Sequence, residues 1–336
     1  MAVPSNNREW RDFCDFDPTP DDKRPSLTLD EIQGLSDSER EAYNNRRIAY
    51  IYEERTFPTR DLVTIEKTAR RLLRAAQSPS SVARRGMSVS GPVRTGKSTA
   101  VMNAGKRLDT RLRIANNRVG DPSYVPVVYI SITPATTPNK LWAVFAEFIG
   151  VRQLRGRNSD GRMFDLIALL RDLGVRFVII DDVQRLNTDR VAGAEVADSV
   201  KTFAEFLDAT MIYAGVSLKS APLFTGEAGK QWRARTVPID MHPFTRRTDD
   251  AVREWRELIA SFERYLPLPL HIPGSLVDEF DYLFNRTGGS IASLHDLICD
   301  TAAEAIDSGE EKVTVDLLET IAVDAYAKDQ NGSDSA

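Results

Sequence analysis

The sequence predicts an α/β protein: a five-stranded parallel sheet flanked by helices, a helical lead-in before it and a small all-helical unit after it. Three observations predict this. Short β-rich runs alternate with segments of helical period between residues 86 and 241, and such alternation implies a parallel sheet covered on both faces. The first run leads into Gly91-Pro92-Val93-Arg94-Thr95-Gly96-Lys97-Ser98, two glycines five apart followed by a lysine and a hydroxyl residue, the spacing of a phosphate-binding loop between a strand and a helix. From Thr248 onward no strand signal remains.

Composition narrows the possibilities. At 336 residues, 42% hydrophobic and 28% charged, the chain is long enough for one α/β core with appendages. No apolar run approaches the roughly 20 residues that cross a bilayer, and the first residues lack a basic stretch followed by an apolar one, so a cytoplasmic protein without a membrane partner is expected. Cys14 and Cys299 stand at opposite ends of the chain, and His242, His271 and His295 have no zinc-ligand spacing, which excludes a disulfide framework and a structural zinc site. The net charge of −5 conceals an asymmetry: residues 46–118 hold 17 Lys/Arg against 5 Asp/Glu, a local +12 that leaves −17 for everything else.

Residues 1–35 are acidic, proline-containing and aperiodic (DFDPTPDDKRPS), the pattern of a flexible arm, either draped on a neighbour or disordered. A helical lead-in spans 36–80. Its first helix starts at LSDSER and places Tyr43, Arg47, Tyr50 and Ile51 at helical intervals. Its second, from about Thr59 to Ala76, turns Leu62, Ile65, Ala69, Leu72 and Leu73 to a core and gathers Lys67, Arg70, Arg71 and Arg74 into one cationic stripe. Two readings of that stripe stand, a solvated face or a phosphate-contacting surface that binds nucleic acid without regard to sequence. After the linker SPSS, the α/β core occupies 81–245, with strands expected in GMSVSG, YVPVVYISI, VRFVIID, ATMIYAGVS and TVPIDM. Residues 246–326 form the helical unit and 327–336 read as a disordered tail; the last stretch, 296–336, is acidic, with eleven Asp/Glu and two Lys.

The chemistry is carried by the loop. Its glycines let consecutive backbone N–H groups point inward at phosphates, Lys97 reaches the β and γ oxygens, the Ser98 hydroxyl ligates Mg²⁺, and Thr99 continues the helix whose positive dipole end faces the anion. Downstream, Phe177 to Ile180 run into Asp181-Asp182, a strand delivering carboxylates to the metal. Asp181 is expected to hold Mg²⁺ through its water shell and Asp182 to polarise the attacking water. Because Asp182 stands where a longer glutamate is common, slow ATP hydrolysis is expected.

From residue 36 to 325 the sequence resembles the TniB/TnsC family of transposon-encoded AAA+ ATPases. The resemblance rests on IAYIYEERTFPTRDLVTIEKTARRLL, GPVRTGKS, FVIIDDVQRL, MIYAGVSL, RARTVPIDMHPF and TGGSIASLHDLI. It implies an AAA+ P-loop fold with a C-terminal lid, ATP and Mg²⁺ as cofactors, Ser217 as the sensor of the γ-phosphate, and Arg235, with Arg233 as runner-up, as the arginine that reaches a neighbouring subunit's nucleotide. No arginine stands at the usual lid-sensor position in the helix opened by Arg286 to Ser290. The resemblance also implies a homo-oligomer, ring or filament, on double-stranded DNA that recruits a transposase and a target-selection protein. DNA contacts are then expected at Lys67, Arg70, Arg71 and Arg74, with Arg107, Arg111, Arg113 and Arg118 added, and without sequence specificity. A signalling or scaffold ATPase, or a helicase loader, gating protein partners by nucleotide state is the alternative. A small-molecule phosphotransferase is disfavoured because no acceptor site is evident.

Overall fold

The protein is described by a computed structural model over residues 3–76, 85–134, 136–185, 191–324 and 327. It opens with α1 (Asn7–Asp15), α2 (Leu29–Gln33), α3 (Asp37–Ile51) and α4 (Arg60–Ala76). Then β1 (Gly86–Ser90), α5 (Lys97–Ala115), β2 (Val127–Ser131), α6 (Pro138–Phe148), α7 (Ser159–Asp172), β3 (Phe177–Asp181), α8 (Val191–Phe206), β4 (Thr210–Gly215), α9 (Gly226–Ala234) and β5 (Thr236–Asp240) alternate. The chain continues with α10 (Asp249–Glu263), α11 (Ser275–Asp278), α12 (Phe280–Thr287), α13 (Ile291–Asp307) and α14 (Val315–Thr320). The linker SPSS and residues 328–336 lie outside the described residues.

All five expected strands form, and they pair in parallel in the order β2-β3-β4-β1-β5. The sequence explains which strand sits where. Phe177 to Ile180 and Thr210 to Ala214 are apolar almost throughout and are buried, as interior strands of a parallel sheet must be. In β5, Pro238 offers no N–H and is exposed, a residue that only an edge strand accommodates. Helices α4 and α5 pack against each other and on the sheet, with Leu62, Ile65, Ala69 and Leu72 buried and Leu73 packed against the core, as their spacing predicts. No helix among the described residues is long and apolar enough to cross a membrane.

The chain divides into two compact units, and the division corrects the expected boundaries. One unit comprises Met1–Phe16 and Arg60–Met241, the other Asp17–Thr59 and His242–Ala336. The 1–35 segment is therefore no loose arm. Trp10 and Phe13 on α1 are buried in the core of the first unit, while Ile32 is buried and Arg24 donates to the Arg264 carbonyl in the second. The acidic character that reads as disorder serves helix starts instead: Glu9 accepts from the Ser5 N–H and Glu31 from the Thr28 N–H, at 2.7 and 2.8 Å.

The 36–80 lead-in is likewise split, α3 going to the second unit and α4 to the first. The reason is apolar surface: Ile51 joins the core made by Trp255, Leu258, Ile259 and the α13 leucines, and the Phe57 and Phe262 ring centroids are 4.0 Å apart. Arg47, at helical intervals from Tyr43 and Tyr50, is wholly buried and paired with Glu311 through both of its terminal nitrogens.

Glu263 is the second buried acid of this unit. Its carboxylate accepts from the Gly274 and Leu276 N–H groups at 2.8 and 2.9 Å and contacts His271 Nε2 at 3.0 Å. Burial works to raise its pKa, but the His271 contact and the two backbone donors prevail and hold the carboxyl below its ordinary 4.5. A depressed carboxyl contributes stability that is present above pH 4.5 and is lost as pH falls through the folded value. Melting temperature followed from pH 6 to about pH 3 should therefore fall less steeply for Glu263→Gln than for the parent chain. An unchanged slope would remove Glu263 from the acid response.

Candidate nucleotide site and cationic face

Strand β1 ends at Ser90 and the chain turns through 91–96 into α5. Arg94 and Gly96 both take positive φ, 62° and 80°, which curls the loop. At Gly91 a Cβ would lie 2.6 Å from the Met241 carbonyl oxygen, so the first glycine is fixed by how closely the chain beyond β5 passes. No side chain caps α5, which leaves its first N–H groups open, and Ser98 and Thr99 are exposed there. Thr95 braces the loop by donating to the Pro92 carbonyl at 2.9 Å, and the Lys97 ammonium folds back onto the same carbonyl. Val93 projects into solvent. Burial pulls the Lys97 ammonium below its ordinary range, while the charges of Asp181 and Asp182 push the other way.

The acid pair stands at the C-terminal end of β3. Asp181 is buried; its Oδ2 accepts from the Tyr129 hydroxyl at 2.9 Å and its Oδ1 from the Asp182 N–H at 2.8 Å. Burial, then the charge of Asp181, raises the Tyr129 hydroxyl well above the tyrosine range, which keeps it a donor. Asp182 has φ 57°, so its side chain leaves the strand direction and meets Ser131 Oγ at 3.1 Å, Gln184 Nε2 at 2.9 Å and Arg185 Nη2 at 3.1 Å. Gln184 also bonds through its other terminal atom, Oε1 accepting from the Val216 N–H at 2.9 Å. It thus ties Asp182 to the end of β4, where a Cβ at Gly215 would lie 2.3 Å from that oxygen.

Ser217 follows β4 in the left-handed conformation, φ 49°, and is exposed. Since β4 lies between β1 and β3, Ser217 sits between the strand that feeds the phosphate loop and the strand that carries the acids. The next residue's N–H donates to Ser90 Oγ at 3.1 Å, closing the group. Open N–H groups and a buried lysine suit phosphate oxygens, and hydroxyl and carboxylate oxygens suit a hard cation such as Mg²⁺. The donor set fits a magnesium-bound nucleotide.

Arg235 lies at the other end of the sheet. It precedes β5, its carbonyl accepts from the Gly86 N–H at 2.9 Å, and its guanidinium meets Glu205 at 3.4 Å. From Gly86 to Gly91 the strand advances about 16 Å at roughly 3.3 Å per residue, so Arg235 stands well away from its own phosphate loop. Arg233 is more exposed and on the same turn.

The cationic residues divide. Lys67, Arg71 and Arg74 are exposed on α4 and Arg70 is half-buried; Arg107 and Arg111 are exposed on the adjoining α5, where Arg107 also pairs with Glu66 at 2.7 Å. Two expected members are elsewhere. Arg113 is buried, bound to Asp109 and donating to the Asp121 carbonyl at 2.9 Å, and Arg118 pairs with Asp121 at 2.5 Å and Ser123 at 3.0 Å. Both organise the turn after α5. Arg46, Arg47 and Arg55 belong to the other unit.

Sequence reasoning missed Tyr129, Ser131 and Gln184. Tyr129 left a signal, a hydroxyl in the middle of an otherwise apolar strand that must find a buried partner. Gln184 left none, since its role depends on the positive φ at Asp182.

A family model for the bacterial TniB protein matches residues 47–241, which takes in α4 and the whole sheet. No curated protein matches the chain. Among solved structures, it is similar to the ORC1 protein of Aeropyrum pernix, solved in complex with DNA, at 17% identity and TM-score 0.60, covering 81% of this chain and 66% of that one. The ORC2 protein of Aeropyrum pernix in its ADPNP-ADP complexes gives 16% and 0.63, covering 82% and 70%; Cdc6p of Pyrobaculum aerophilum gives 14% and 0.55, covering 80% and 68%. The chain thus spans about two thirds of the length of these proteins, and at such identities the likeness is one of fold. With a phosphate loop after β1, two acids at the C-terminal end of β3 and the strand order 2-3-4-1-5, the chain has the AAA+ fold and belongs to the TniB family.

Proposed function

We propose that the protein is an ATP-dependent regulator of transposition: an AAA+ ATPase that assembles with copies of itself on double-stranded DNA and recruits or activates a transposase together with a target-selection protein. Hydrolysis then drives release. The observation that carries this reading is the course of α5, which begins at the phosphate loop with Lys97 and Ser98 and, about 15 Å on, presents Arg107 and Arg111 beside the exposed cations of α4. A helix is stiff over that length, so a displacement of its first turn by a γ-phosphate is carried to the cationic face.

Each site residue then has a role. Lys97 and the N–H groups of 94–99 would hold the phosphates, Ser98 and Asp181 the cation, and Asp182 the attacking water. Bound magnesium supplies charge neutralisation on the β and γ oxygens. Ser217 would read the γ-phosphate from between β1 and β3. Arg235 would complete the site of a second copy, because it stands at the end of the sheet away from its own loop. That the ORC1 neighbour was solved with DNA and the ORC2 neighbour with ADPNP and ADP supports the reading by analogy of fold.

The test is duplex-DNA binding by fluorescence anisotropy without nucleotide, with ADP and with a non-hydrolysable ATP analogue. The variant changes Lys67, Arg70, Arg71 and Arg74 to Glu. The expected result is affinity that requires the ATP analogue, falls about a thousandfold between 50 and 200 mM salt for about six phosphate contacts, and is lost in the variant. Nucleotide binding with no DNA response in any state would overturn the DNA role, leaving an ATPase that gates protein partners, such as a scaffold or a helicase loader.

A further inference from the structure

Helix α1 is set into the first unit by a chain of contacts that ends at the nucleotide site. The Trp10 indole is fully buried and stacks on the Tyr129 ring, centroids 5.8 Å apart and planes within 6°. Its Nε1–H donates to Asp109 Oδ2 at 3.3 Å, and Asp109, almost fully buried, is held by Arg113. The last turn of α1 is fastened as well, the Phe16 carbonyl accepting from the Lys106 ammonium. Room for the indole is made by Gly105 in the middle of α5: a Cβ there would lie 2.8 Å from the Trp10 ring and 2.6 Å from Ile179. A glycine inside a helix is destabilising relative to alanine, and here it admits one side chain from outside the α/β layers.

Beyond Trp10 lies Tyr129, whose hydroxyl donates to Asp181 Oδ2 at 2.9 Å, while the Asp182 N–H occupies Oδ1 at 2.8 Å. Two donors on different elements, one per oxygen, fix the plane of the carboxylate. Each oxygen keeps a second lone pair.

We infer that Tyr129 is a positioning residue for Asp181, and that Trp10 on α1 holds Tyr129 in place, which makes the N-terminal helix part of the magnesium-nucleotide site. The inference rests on the reading of Asp181 as the carboxylate that holds magnesium's water shell. Tyr129 touches neither nucleotide nor metal; it sets the lone pairs that the metal's waters meet. Outer partners of this kind are worth about 10- to 100-fold in metal affinity.

The experiment uses the full chain. Binding of a fluorescent ATP analogue is measured in EDTA and across a magnesium titration for the parent, Tyr129→Phe, Trp10→Leu and Asp181→Asn, with the nucleotide-free melting temperature of each. Tyr129→Phe keeps the ring and its stack and removes only the donor. Its expected result is parental affinity in EDTA with the magnesium concentration for half-maximal tightening raised about tenfold or more. Trp10→Leu should move that midpoint in the same direction, and Asp181→Asn should raise it at least as far. Each comparison is made within one variant with and without magnesium, so a lowered melting temperature does not imitate the effect. A parental midpoint in Tyr129→Phe beside a shifted one in Asp181→Asn overturns the positioning role and leaves the site intact. A parental midpoint in Trp10→Leu overturns the part of α1. No shift in Asp181→Asn overturns the reading of Asp181 itself and the inference with it.

Discussion

Mixing Arg235→Ala with Asp182→Asn, each nearly inactive alone, is expected to restore ATP hydrolysis to about a quarter of the parental rate, since one interface in four then joins an intact site to an intact arginine. The geometry behind this is the position of Arg235 before β5, at the end of the sheet opposite the phosphate loop, where Glu205 is its ionic partner within the same chain. An arginine that stabilises the transferring phosphoryl group is worth about 10³- to 10⁵-fold in kcat, so Arg235→Ala alone should lose at least three orders of magnitude while binding nucleotide normally. Asp182→Asn keeps Lys97 and the loop and loses the carboxylate that Ser131, Gln184 and Arg185 aim. Steady-state phosphate release across mixing ratios checks the prediction. Rates that merely average those of the two variants would place the arginine's action elsewhere, and Arg233→Ala would be the next variant to mix.

Arg47→Ala is expected to destabilise the unit that contains it by about 3–5 kcal/mol, the usual consequence of leaving one member of a buried ion pair alone. Arg47 is 0% exposed and Glu311 4%. Besides Glu311, the guanidinium donates to Asn44 at 2.6 Å and approaches the Pro267 carbonyl at 3.5 Å, so its loss strands three acceptors. Replacing both partners by apolar residues, Arg47→Met with Glu311→Leu, should cost far less, because no buried charge is then orphaned. Urea unfolding of the three chains at neutral pH measures both figures. A loss under about 1 kcal/mol for Arg47→Ala would mean that water reaches the vacated site.

What could be read from the sequence follows the range of the interactions. The five strands and the phosphate loop were legible because apolar runs and glycine spacing are local, and the same holds for the buried face of α4. Arg113 and Arg118 show where locality ends: both count as positive charge in a basic segment, yet one is consumed by Asp109 four residues earlier and the other by Asp121 in the following turn. The N-terminal segment was illegible for a different reason. An acidic helix with two buried residues, Trp10 and Phe13, has too little apolar pattern to announce itself, and its partners lie about a hundred residues away. At the site, Lys97, Asp181 and Asp182 come together as their motifs predict, whereas the bracing by Tyr129, Ser131 and Gln184 arises only once β2, β3 and β4 are adjacent.

The splitting of the second unit between residues 17–59 and 242 onward also sets an order on folding during synthesis. Arg47 and Glu311 are 264 residues apart in the chain. At about 5–20 residues per second, Glu311 leaves the ribosome about 13–50 s after Arg47. Through that interval the whole α/β sheet is translated and can close, while α3 waits with Ile48 and Ile51 uncovered and its arginine unpaired. Residues 17–59 are thus among the last to become native, later than the helix α1 that precedes them. A chain arrested at Met241 would hold a finished sheet and, ahead of it, a segment with nothing to fold against.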